Sequence, residues 1–176
     1  MSAMPDLAAL PDGTSVFVDT NIFDLHYRGK SVTCSAFMTR VARGEIVAYV
    51  NTQVLSDLLH KLMLAEAQAK GIIAKRQASI LKERFKADRT IAGRLTDYQS
   101  HFEDTLAIGL KVFRITRELL VETKLERITH CLLTGDSIHV GNMNRHNQPI
   151  TDIATHDGDF GHIPGLTVWE PMDVIP

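Results

Sequence analysis

The sequence predicts an α/β fold of three layers, a central parallel sheet with helices on both faces. Short apolar, β-branched runs alternate with longer stretches whose apolar positions recur at helical spacing. The first such run stops at polar residues suited to capping a helix, which is how a β-α-β unit begins. With 176 residues, 44% hydrophobic and 23% charged, the chain is long enough to bury the core such a sheet needs.

Met1 to Gly13 is rich in Pro and Ala and ends in a Pro-Asp-Gly turn signal, so residues 1–14 read as a loose lead-in and 15–176 as one domain. Ser15-Val16-Phe17-Val18 is a buried strand that stops at Asp19-Thr20-Asn21. Ser31 to Arg43 reads as a helix, Gly44 as its stop, and Glu45 to Val50 as a second buried strand. From Thr52, read as an N-cap, the positions Val54, Leu55, Leu58, Leu59, Leu62 and Met63 form a helical stripe with Asp57 off it. Ile73, Ile80, Leu81 and Phe85 mark a further helix, whereas Arg94 to His101 favours no single state. A weaker strand at Lys111 to Ile115 leads into a helix opening at Thr116. Another helix starts at Gly135-Asp136-Ser137 and is broken by Asn147-Gln148-Pro149. Ile150 to Thr155 is a strand, His156 to Phe160 a loop, and Leu166 to Trp169 a last short strand. There is no internal repeat, low-complexity tract or sign of a second domain.

Composition excludes several classes of function. The longest apolar runs last a few residues and the first basic residue is Arg28, so neither a membrane span nor a secretory leader is expected, and the cytoplasm is the expected compartment. Cys34 and Cys131 lack CxxC or Cys/His spacing, which leaves them as small buried apolar residues. The net charge of -2 conceals a segregation: residues 61–94 hold nine Lys/Arg against three Asp/Glu. Lys75, Arg76, Lys82, Arg84, Lys86 and Arg89 are either a solvated helix face or a track for a phosphate backbone.

In an open parallel sheet, ligands bind beyond the carboxyl ends of the strands. Aspartates follow these strands: Asp19 after the first, Asp157 and Asp159 after the Ile150–Thr155 strand, Asp136 opening the helix before it, and Asp57 in the helix after strand two. Singly, Asp19 and Asp136 read as helix caps, Asp157-Gly158-Asp159 as a turn, and Asp57 as a solvated position. Together they would repel and raise one another's pKa unless a cation lay between them. Carboxylates without His or Cys suit Mg²⁺ or Mn²⁺ rather than zinc. Such ions position water for in-line attack on a phosphodiester, which makes nucleic acid the logical substrate. GxSxG, HExxH, P-loop and GxGxxG patterns are absent. Asp152, inside a strand, needs a partner for its polar group and is read as structural. His156 beside Asp157 follows a strand, unlike a helical HD dyad, and the other histidines, including His60 and His139, are read as surface or satisfied core residues.

Three segments together resemble a PIN-domain nuclease, and within that family the VapC type of toxin ribonuclease. They are Val16 to Phe23, Val54 to Leu62, and Asp136-Ser137-Ile138 followed by Ile153-Ala154-Thr155-His156-Asp157-Gly158-Asp159-Phe160. The resemblance runs from about Ser15 to Trp169. It implies Asp19, Asp136 and Asp157 as metal-binding acids, Asp159 as an additional acid, and Thr20, Asn21 and Thr155 as hydrogen-bonding support. Asp57 stands where the family usually has Glu, one methylene longer, so direct ligation there would weaken or pass through water. Glu66 shares that helix side but lies about 13 Å further along, a poor substitute. The resemblance further implies an Mg²⁺- or Mn²⁺-dependent endoribonuclease acting on tRNA or rRNA, a small antitoxin partner and a homodimer. A stand-alone RNA-processing nuclease, a DNA nuclease and a non-catalytic RNA-binding module remain open alternatives. The exchange Asp57→Glu discriminates a crippled site from an adapted one.

Overall fold

The computed structural model describes residues 4–175. Within the stretch read as one domain, the chain packs as two compact units, Met1–Leu55 with Ile108–Pro176, and Ser56–Ala107. The first unit holds all five strands: β1 (Ser15–Val18), β2 (Val47–Asn51), β3 (Lys111–Phe113), β4 (Asp152–Ala154) and β5 (Thr167–Trp169). They form one all-parallel sheet in the order β3-β2-β1-β4-β5.

That order determines the layers. From β1 to β2 the chain steps one way, and from β3 to β4 it returns past β2 and β1 to the other side. Right-handed crossovers therefore place the β1–β2 helices and the β3–β4 helices on opposite faces, giving an α/β/α sandwich. The first group is α1 (Thr20–Tyr27) with α2 (Val32–Ala42). The second is α7 (Arg117–Glu122), α8 (Lys124–His130) and α9 (Thr134–Arg145). Between the layers lie Val16, Phe17, Val18, Val50 and Ile153, all fully buried, with the His139 ring of α9 5.1 Å from that of Phe17. Helix α9 approaches α7 at Gly141, where an added Cβ would meet Thr123 Cγ2 at 2.6 Å, so only glycine fits this crossing.

Local chemistry explains the helix starts. Ser31 caps α2 by accepting from Cys34 N at 3.0 Å, and Thr116 caps α7 by accepting from Leu119 N at 3.2 Å. Helix α3 (Thr52–Ala69) corrects the expectation of a Thr52 cap. Its cap is Asn51, whose Oδ1 accepts from Val54 N at 2.9 Å while Thr52 already lies in the helix. The N-terminal segment also departs from the sequence reading. Leu7 is fully buried in a 3₁₀ turn (Leu7–Ala9), and the backbone of Pro5 and Leu7 hydrogen-bonds to Glu170, so this segment is docked rather than loose. Cys34 is buried as expected, but Cys131 is exposed, at a left-handed residue (φ 51°) that ends α8.

The second unit holds most of α3 together with α4 (Ala78–Ala87), α5 (Ile91–Arg94) and α6 (Asp97–Ala107). Its own core is Leu64, Ala67, Ile73, Leu81 and Leu95. Glu66, buried, accepts from Thr96 N and Tyr98 N at 2.8 Å each and from Lys70 Nζ, and so ties α3 to the start of α6. Burial alone would raise this carboxyl's pKa, but the Lys70 and main-chain hydrogen bonds outweigh it and bring the pKa down to about 2. Glu66 is thus a structural pin.

Candidate functional site

Strand β1 ends at Val18, and the next residue still belongs to the ladder, since Asp19 N donates to Ala154 O of β4 at 3.0 Å. Likewise Thr155 N, just past β4, donates to Trp169 O at 3.1 Å. The sheet's own hydrogen bonds thus hold Asp19 and Thr155 side by side. They sit at the carboxyl ends of β1 and β4, where the strand order reverses, and such a switch point opens a crevice.

Four polar groups interlock there. Asp19 Oδ2 accepts from Thr155 Oγ1 at 2.8 Å and from Asn21 Nδ2 at 2.7 Å, while Oδ1 accepts from Thr20 N. Asn21 Nδ2 also donates to Thr155 Oγ1 at 3.0 Å, and Asn21 Oδ1 accepts from His156 N at 3.0 Å. Thr155 Oγ1 then accepts from Asp157 N at 3.1 Å, which connects the motif after β4 to Asp19. Asp157 Oδ1 accepts from Asp159 N at 3.0 Å and closes the turn. A fully buried threonine hydroxyl with one donor and two acceptor positions used is fixed in orientation, and it fixes Asp19 with it. Thr20 contributes through its main-chain N–H, and its side chain forms no hydrogen bond among the described residues.

Asp136 lies inside the first turn of α9 and caps nothing, as the N-cap position is Leu133. Burial, first, and then the charges of Asp157, Asp19 and Asp159 raise its pKa from 3.8 to about 6. The charges of Asp19, Asp157 and Asp159 are thus felt at Asp136. Asp57 belongs to the second unit, exposed on α3. Among the described residues no three His, Cys, Asp or Glu side chains are arranged to hold a metal ion as they stand. The residues present nonetheless fit a hard divalent cation, because they offer carboxylate oxygens and because burial, and after it the neighbouring negative charges, push Asp136 toward neutrality, an effect that a cation offsets.

Two expectations about single residues find their geometry. Trp169 Nε1 donates to Asp152 Oδ1 at 2.8 Å, the partner that Asp152 required. His139 is a satisfied core histidine, with its Nδ1 3.0 Å from Asn51 Nδ2. Sequence reasoning missed the rest of that group: Asn51 Nδ2 also donates to Asn142 Oδ1 at 3.0 Å, a buried link from β2 to α9. The available signal was an asparagine between a strand and a helix, with His139 and Asn142 three residues apart on the facing helix. Of the basic residues, Lys75, Lys82, Arg84, Lys86 and Arg89 are exposed on the second unit. Arg76 is half-buried and donates to Lys61 O at 3.1 Å, and Lys86 pairs with Glu83. No helix among the described residues is long and apolar enough to cross a membrane.

The fold is shared with a chain of VapBC2 from Rickettsia felis, solved bound to a DNA fragment from their promoter. The TM-score is 0.55 at 14% identity, over 89% of this chain and 98% of that one. It is also similar to a chain of a toxin–antitoxin complex from Klebsiella pneumoniae, with TM-score 0.51 and 14% identity over 91% of this chain and all of that one. No protein-family model matches the sequence, and no curated protein does. At this identity the likeness is one of fold.

Proposed function

We propose, from the PIN-like fold shared with these toxin–antitoxin structures, that the chain is a VapC-like toxin and a metal-dependent endoribonuclease. One observation supports the reading: Asp19 and the Asp157–Asp159 motif are hydrogen-bonded to each other at the switch point of this sheet, and their charges add to burial in raising the pKa of Asp136. Bringing like charges under one another's influence is costly unless a counter-charge serves there.

In this reading Asp19, Asp136 and Asp157 would hold Mg²⁺ or Mn²⁺, with Asp159 completing the set. When bound, such a cation orients water for in-line attack on a phosphodiester and offsets charge on the leaving oxygen. The chain's own residues supply orientation. Asn21 and Thr155 hold the Asp19 carboxylate, and the Asp157 N–H to Thr155 Oγ1 bond keeps the motif after β4 in register with it. RNA is the substrate class, with tRNA and rRNA the first to try. Exposed Lys75, Lys82, Arg84, Lys86 and Arg89, with Arg76, would contact its phosphates. A small antitoxin and a second copy of the chain are the proposed partners, the former because the structures sharing this fold are toxin–antitoxin complexes.

The test is incubation of the protein with a pool of tRNA, rRNA and single-stranded DNA in Mg²⁺, Mn²⁺ or EDTA, with Asp19→Asn as the matched control. Discrete RNA fragments that require metal and vanish in the variant are expected. Equal behaviour of folded, partner-free wild type and variant would leave a non-catalytic RNA-binding module as the better reading.

A further inference from the structure

The carboxyl edge of the sheet continues past the acidic cluster. The register pairs Phe17 with Tyr49 and Tyr49 with Lys111, so two residues further on Asp19, Asn51 and Phe113 stand in one row. With adjacent strands about 4.8 Å apart, Phe113 lies roughly 10 Å from Asp19 along that edge. Beside it is a cavity of about 260 Å³ whose lining includes Phe113, Arg114, Asn142, Arg145 and His146. Small-ligand sites start at about 300 Å³, so this one has room for no more than a single planar group.

Three kinds of group meet there. The Phe113 ring stacks on Tyr49 at 5.2 Å and meets the His146 ring edge-on at 5.7 Å, with both Phe113 and His146 partly exposed. Arg114 is exposed and forms no ion pair among the described residues, whereas Arg145 is paired with Glu122. Asn142 is only 6% exposed, and its amide orientation is determined by the bond that its Oδ1 accepts from Asn51. Its Nδ2 donates to no group among the described residues. Asn142 lines the cavity, and its Nδ2 is not fully enclosed. It is therefore a donor that an acceptor on a ligand can take over from water.

We propose that this cavity is a nucleotide subsite for single-stranded RNA. The base packs against the Phe113 and His146 rings, Asn142 Nδ2 donates to an acceptor on the base edge, and Arg114 holds the adjoining phosphate. Aromatic faces, an amide donor and one free guanidinium are the groups by which proteins take up an unstacked base. The assignment of the strand to RNA rests on the ribonuclease reading above.

Anisotropy of a fluorescent single-stranded oligoribonucleotide, measured in EDTA so that nothing is cleaved, tests it in the full chain. Arg114→Ala should weaken binding and lower the slope of log affinity against log salt by about 1, as loss of one phosphate contact requires. Asn142→Asp, which keeps the acceptor for Asn51 and removes the donor, should weaken binding by about fivefold or more. Arg43→Ala, an exposed arginine at the end of α2, should change neither. Photo-crosslinking with 4-thiouridine should join the oligomer to the peptides carrying Phe113 or His146 even if Asn142→Asp fails to fold. Crosslinks only elsewhere, an unchanged salt slope for Arg114→Ala, or a free mononucleotide binding where the oligomer does not would each overturn the subsite. RNA held in this cavity but never cut would overturn the nuclease instead. Metal-dependent cleavage with an unaltered Arg114→Ala would overturn the subsite alone.

Discussion

At the scale of single residues, Asp136 is where folding and chemistry pull apart. Its pKa, raised from 3.8 to about 6, means that the metal-free folded chain binds a proton there more tightly than the unfolded chain does. Stability should therefore fall as pH rises from about 4 to about 6 and stay at the lower level above that window. Asn at this position does not titrate. In EDTA at pH 7.5, Asp136→Asn should raise Tm by roughly 2–4 °C, and the gain should shrink toward pH 4. Added Mg²⁺ should raise the Tm of wild type and leave the variant unmoved. Thermal melts across this pH range, with and without Mg²⁺, check both statements, and a variant no more stable than wild type at pH 7.5 would remove the repulsion on which the site rests. The positions of Asp19, Asp136, Asp157 and Asp159 were legible because each follows a strand or opens a helix. Their support was only half legible: Asn21 was named, but nothing in the local sequence shows that its amide spans both Asp19 and Thr155, residues 136 positions apart.

Among elements, those whose ends carry their own signals were readable. β1 and β2 were found from apolar, β-branched runs, α2 from a helical stretch opening at Ser31, α7 from Thr116, and α9 from its start at Gly135-Asp136-Ser137 and its break at Asn147-Gln148-Pro149. What escaped is what distant residues determine. The stretch 94–101 favoured no state because α6 begins on a carboxylate from α3, not on a local cap. Helix α8 follows α7 with Thr123 as the only residue between them, too abrupt a break for periodicity to register. Glu66 gives this scale its prediction. Its pKa is lowered from 4.5 to about 2, so its contribution is present above about pH 4.5 and is lost as pH falls through about 2. Glu66→Gln should cost about 1.5–3 kcal/mol near neutrality, the range for hydrogen bonds to a charged group, and most of that cost should vanish in acid. Urea unfolding at pH 7 and pH 2.5 measures it, and a cost equal at both would show that shape rather than charge is what matters.

For the whole molecule, the parallel sheet and the alternation of elements agreed with the sequence, since a parallel sheet needs helical crossovers and the chain shows them. The division into two units did not emerge, because a core of five residues within 52 leaves no break in composition at either end. Such a core is small beside the one surrounding β1, β2 and β4. Amides of α4, α5 and α6 should therefore exchange with solvent through partial openings, while those of Phe17, Val50 and Ile153 wait for global unfolding. Native-state hydrogen exchange in low denaturant would show two tiers of opening free energy. A single tier would mean that both units unfold together.

Residues 5–7 are docked on Glu170 by main-chain hydrogen bonds. A sheet is finite, and each flank offers a row of free main-chain groups to any passing strand. On the flank beyond β5, both the N–H and the C=O of Glu170 are already engaged by the chain's own beginning. Those few residues cover that point of the flank, and a chain lacking them should associate more readily, which light scattering against the full chain would measure.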